Sequence, residues 1–142
     1  MFREKRRAER IKIKVPVTVE LYDKKTDTVL AGPVEGEVED FSPMGIALSL
    51  ANIMIDQYHV FFTCQDNPSH IMRIIFTLPD EPEAILPVPA RPVWYDRARE
   101  SAEKKVLIGA EFLLKPKDKV IKKLTKGLFA ESRTPASWWR IF

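Results

Sequence analysis

Apolar residues fall on every second position at the start of the patterned chain: Ile11, Ile13, Val15, Val17 and Val19 alternate with Lys12, Lys14, Pro16, Thr18 and Glu20. A period of two sends the apolar set to one side of an extended chain, so this stretch predicts a half-buried strand. Asp23-Lys24-Lys25-Thr26-Asp27 then reads as a turn. Further short strands are predicted at 28–31, 34–40, 45–50, 58–63, 71–78, 86–95 and 105–114. Many short strands separated by turn signals predict a barrel or sandwich. Pro87, Pro89 and Pro92 crowd one of them, which predicts an edge strand or a bulge.

One helix is predicted near the end. Val120, Ile121, Leu124 and Leu128 form a stripe at helical spacing, with Lys119, Lys122, Lys123 and Lys126 as the wet face. The stripe predicts a helix that covers one end of the barrel. Gly127 weakens its last turn. Residues 1–10 have no apolar periodicity and read as a flexible leader; 11–130 form the barrel and helix; 131–142 form an aromatic tail ending Trp138-Trp139-Arg140-Ile141-Phe142. Trp and Arg are frequent at binding hot spots, and a tail this apolar can equally fold back on its own barrel.

A length of 142 residues fits one domain with a single core. Net charge is only +3 but is unevenly spread. Residues 1–14 carry seven Lys/Arg against two Glu, and 115–142 carry eight against two acids. The body, 15–114, carries eight against sixteen. A basic arm on an acidic body suits an anionic partner at the arm, although the arm taken alone reads as a solvated charged tail. The single cysteine, Cys64, excludes an internal disulfide and suits a reducing cytoplasm. No stretch approaches the roughly 18 apolar residues of a membrane span, and no apolar run follows the first basic residues as a secretory signal requires. The expectation is a cytoplasmic protein without membrane insertion.

Two short motifs carry the chemistry. Arg6-Arg7-Ala8-Glu9-Arg10 is an RxxxR pattern with an extra Arg, and Asp40-Phe41-Ser42-Pro43-Met44-Gly45 is a DxSxxG pattern. Each alone is weak, because Asp, Ser, Pro and Gly are ordinary turn residues. Together they suit a guanine nucleotide. Guanine N7 and O6 match the two parallel donors of Arg, and its opposite edge offers N1–H and N2–H₂ to a carboxylate such as Asp40. Guanidinium groups stack on purines and fork onto phosphates, Ser42 adds a hydroxyl, and Gly45 permits backbone geometry that a Cβ would block.

RxxxR before the first strand, followed about one hairpin later by DxSxxG, resembles the PilZ domain family. Pro92-Val93-Trp94 and Ile108-Gly109-Ala110-Glu111-Phe112 are similar to two of its later strands, and the resemblance covers roughly residues 3–130. It implies an all-β fold with one C-terminal helix: a six-stranded antiparallel barrel that binds cyclic di-GMP and does no chemistry. Arg6 and Arg10 would then contact guanine and phosphate, and Arg7 a phosphate or a second stacked nucleotide. Asp40 and Ser42 would hold the other guanine edge or the adjoining phosphate, and Gly45 would shape the loop. The departure from the family lies at 51–70, where the excess length predicts an added strand or hairpin, with Tyr58–Thr63 paired to Ile71–Thr77.

Such a receptor needs no cofactor beyond its ligand and acts through an effector protein that the sequence does not name; a homodimer is left open. His59, Cys64 and His70 match no close zinc-ligand spacing, and no third group orients Cys64 with His59 as a nucleophile. No Walker A loop or GxGxxG is present. The rival readings are an OB-like single-strand binder, which the acidic body disfavours, and a PilZ-fold interaction module that binds no nucleotide.

Overall fold

The computed structural model describes residues 11–78, 81–97 and 105–132. Six strands close a barrel: β1 (Ile11–Asp23), β2 (Thr28–Ser42), β3 (Gly45–Leu50), β6 (His70–Leu78), β7 (Glu81–Arg97) and β8 (Val106–Phe112). Their order around the barrel is β1-β2-β3-β8-β7-β6, and every neighbouring pair is antiparallel. A two-stranded ribbon, β4 (Met54–Ile55) with β5 (Tyr58–His59), and helix α1 (Val60–Asp66) lie between β3 and β6. Helix α2 (Lys119–Ser132) follows β8.

The period of two is kept inside the barrel. Val15, Val17, Val19 and Leu21 of β1 are buried, as are Ile46, Leu48 and Leu50 of β3 and Met72, Ile74 and Phe76 of β6. Burying each such side chain contributes about 1.5–3 kcal/mol. The two segments expected at 28–31 and 34–40 are one strand. Gly32 carries it through a bulge at φ +97°, where a Cβ would stand 2.9 Å from the Val19 carbonyl oxygen. The 23–27 turn forms as read: Asp23 accepts from the Lys25 amide at 2.9 Å, and Asp27 takes the left-handed conformation that Asp tolerates. On the outer side of β1, Glu20 lies opposite Arg73, which donates from Nε at 2.8 Å and stacks 4.0 Å over Tyr22.

The proline-rich strand is β7. A closed barrel has no edge, so the bulge is the alternative realised: its register against β8 shifts between Pro92 and Trp94. Antiparallel closure sets the start of β1, the β2–β3 turn, the end of β8 and the β6–β7 turn at one end of the barrel. There α2 buries Ile121, Leu124 and Leu128 completely. Gly127 lets it pass close to β6, since a Cβ there would come 2.8 Å from Leu78 Cδ2. The helix therefore continues through Gly127 to Ser132, beyond the expected weak point.

Residues 51–69 do add a hairpin, β4–β5, but not the one expected: Tyr58–Thr63 is not a strand paired with Ile71–Thr77. Ile71–Thr77 lies within β6 and pairs with β1 and β7. The apolar run after His59 turns into α1 because His59 Nδ1 accepts from the Phe62 amide at 3.1 Å and caps the helix. Helical spacing then sends Val60 and Cys64 together into the core, alongside Ile55 of β4. This segment follows the end of β3 and precedes the start of β6, so it closes the barrel end opposite α2.

Candidate functional site

The DxSxxG motif ends β2 and opens β3. Ser42 pairs with Gly45 across a two-residue turn, Pro43-Met44. Ser42 Oγ accepts from the Met44 amide at 3.1 Å, a side-chain contact that holds the turn tight. The Met44 carbonyl in turn accepts from the Phe112 amide at 3.0 Å, tying the turn to the end of β8. Gly45 is required by space: a Cβ would meet the Ala110 carbonyl oxygen well inside van der Waals contact, at 2.5 Å. The blocking role expected for this glycine is thus a close approach between β3 and β8.

Asp40 is half-buried near the same end, opposite Lys12 on β1 and Ala47 on β3, just after a register shift at Val38/Asp40. Ser42 is buried. Arg6, Arg7 and Arg10 lie outside the described residues, as does the Trp138–Phe142 tail. What the structure does show is where the chain enters the barrel: Ile11 pairs with Phe41. The residue that follows Arg10 is therefore in register with the DxSxxG motif.

Beside the turn, the outer surface of β3, β8 and β7 forms a shallow hollow of about 320 Å³, lined by Met44, Gly45, Ala47, Trp94, Gly109 and Glu111 among others. Trp94 pairs with Gly109, and the indole lies directly on that glycine, so that a Cβ would overlap the ring. Trp94 remains 46% exposed, which leaves a ring face for a planar ligand. Glu111, also exposed, stands on β8 between Gly45 and Arg91 in register. Neither Trp94 nor Glu111 is singled out as a binding residue by the sequence reading. The signal is a Trp–Gly pair across two strands, and it depends on a bulge that only the register reveals.

A second hollow, of about 520 Å³, lies between α1 and β7 and shares Val93 with the first. Here Arg91 donates to the Cys64 carbonyl at 3.2 Å and to the Pro68 carbonyl at 2.8 Å, clamping the 51–69 segment onto the barrel. The rings of His59, Phe61, Phe62 and Tyr95 form one cluster with centroids 4.4–6.0 Å apart. Burial pushes the Cys64 thiol up to about 11, with the Arg91 charge pulling the other way. His59 sits outside on the helix cap and Cys64 inside. His70 lies on β6, 3.6 Å from Asp23. Desolvation pushes the Asp23 carboxyl up, but the amides of Lys25 and Thr26, His70 and the Thr26 hydroxyl together hold it below its ordinary value. Among the described residues no three His, Cys, Asp or Glu side chains converge to hold a metal, and no helix is long and apolar enough to cross a membrane.

A family model described as the PilZ domain matches residues 4–130. No curated protein matches the chain.

Proposed function

The chain belongs to the PilZ domain family, and on that premise we propose that it is a non-enzymatic receptor for cyclic di-GMP that signals through a partner protein. The observation that supports the reading is the register Ile11–Phe41, which puts the residue after Arg10 opposite the DxSxxG motif. Arg6, Arg7 and Arg10 take the phosphates and the guanine N7/O6 edges, as forked donors do. Asp40 and Ser42 take the remaining guanine edge or the adjoining phosphate. The exposed face of Trp94 offers a platform for one base.

Ligand phosphates relieve the mutual repulsion of Arg3, Lys5, Arg6, Arg7 and Arg10. Fixing the arm costs about 1–2 kcal/mol per residue, which only strong charge-assisted bonds offset. The arm is therefore loose without ligand and ordered with it, a population shift driven by differential contacts. Neither a cofactor nor a metal enters this scheme, and the protein stays in the cytoplasm with the messenger.

Calorimetric titration with cyclic di-GMP tests the reading, with GMP and cyclic di-AMP as controls. Micromolar affinity or better is expected, about −8 kcal/mol. No heat at millimolar ligand would remove it. Amide hydrogen exchange adds the mechanism: ligand should protect residues 5–12 and 40–46 and leave 108–113 unchanged.

A further inference from the structure

Arg91 and Glu111 face each other directly in the β7–β8 ladder. Cross-strand opposites of this kind form ion pairs where nothing else competes. Here Arg91 is engaged elsewhere. Both of its terminal nitrogens point at carbonyls of the 51–69 segment, those of Cys64 and Pro68. Among the described residues no hydrogen bond or ion pair reaches the Glu111 carboxylate, which stays exposed at the margin of the hollow beside Trp94 and Gly45.

We propose that Glu111 is a specificity-determining residue that reads the Watson–Crick edge of a guanine base lying against Trp94. The inference rests on the cyclic di-GMP reading and deepens it. A carboxylate presents two acceptors side by side, and guanine presents two donors, N1–H and N2–H₂, at matching spacing. Adenine offers a bare N1 lone pair at the same place, which a carboxylate repels. Trp94 supplies an apolar face on which either purine can stack, so the ring sets affinity and the carboxylate sets the choice of base. The added segment makes this possible: by holding Arg91, it leaves Glu111 without its cross-strand cation. The hollow of about 320 Å³ is open enough for one base to enter edge-on to Glu111.

The test is calorimetry of wild type, Glu111→Gln and Asp96→Asn with cyclic di-GMP and cyclic di-AMP. Asp96 is an exposed carboxylate elsewhere on β7 and controls for bulk charge. Both variants change exposed side chains, and thermal melts check that they fold as the wild type does. Glu111→Gln should weaken cyclic di-GMP binding about tenfold or more, in line with a lost charge-assisted bond, and narrow the preference over cyclic di-AMP. Asp96→Asn should change neither. Electrostatics alone predicts the opposite sign, because removing a negative charge favours an anionic ligand. Wild type that binds cyclic di-GMP while Glu111→Gln binds it equally or more tightly would overturn this inference and leave the receptor reading standing. Wild type that binds no cyclic di-GMP would overturn both.

Discussion

The indole of Trp94 rests on the bare backbone of Gly109, its partner across the β7–β8 ladder. Gly109→Ala drives a methyl into the ring. Overpacking of this kind costs about 1–3 kcal/mol, and here the ring can swing outward to relieve it. The expected outcome is a modest fall in melting temperature with a disproportionate loss of cyclic di-GMP affinity, because the platform moves. Thermal melts and titration of the same preparation check it. A lower melting temperature with unchanged affinity would separate Trp94 from the site.

Arg10→Ala should weaken ligand binding by about 1.5–3 kcal/mol, tenfold to a hundredfold, whereas Lys12→Ala, outside the motif, should cost much less. Equal losses would make the arm a diffuse charge. Asp40→Ala should weaken binding although it removes a negative charge near an anionic ligand, and titration of the three variants reads the difference.

Cys64 is buried, and that burial pushes its thiol up to about 11. At about pH 8 the folded protein should react with a disulfide reagent at least about tenfold more slowly than an unhindered thiol, the smaller thiolate fraction outweighing its higher nucleophilicity, and fully once unfolded. Because the thiolate forms more readily in the unfolded chain, this group removes stability as pH rises above about 9. Reagent kinetics with and without denaturant decide it.

His59 caps α1 through a ring nitrogen that must be unprotonated to accept the Phe62 amide, and desolvation holds its pKa below the ordinary 6.5. The unfolded chain takes up the proton first, so the cap's contribution is complete above about pH 6.5 and is lost as pH falls below it. Hydrogen exchange of residues 61–65 should quicken from about pH 7.5 to about pH 5 beyond the intrinsic change. His59→Asn keeps an acceptor that does not titrate. It should abolish that excess, and an unchanged pH response would assign it to another group.

The barrel was legible in the sequence wherever one side of a strand is wet, because alternation is then enforced residue by residue, as along β1. The DxSxxG turn was legible because its chemistry is local: Ser42 caps the Met44 amide two residues away. Helix α1 was not. Val60-Phe61-Phe62 is a short apolar run that fits a strand and a buried helix equally. The decision came from a single cap at His59 and from room in the core for Val60 and Cys64 together. The sequence marks Trp94 and Glu111 only as parts of two strands, and their place beside the DxSxxG turn is not legible in it, for a different reason. Their meeting depends on one extra residue near Val93 that resets the register of β7 against β8, which the run of side chains does not mark.

The bond from the Phe112 amide to the Met44 carbonyl has a mechanical consequence. Phe112 is the last residue of β8, and the chain runs from it through six residues to the root of α2. The next amide, Leu113, donates to the Pro89 carbonyl of β7. The Pro43-Met44 turn is therefore fastened to a point that β7 itself pins, so it can move only by giving up the Phe112 bond or by carrying the end of β8 with it.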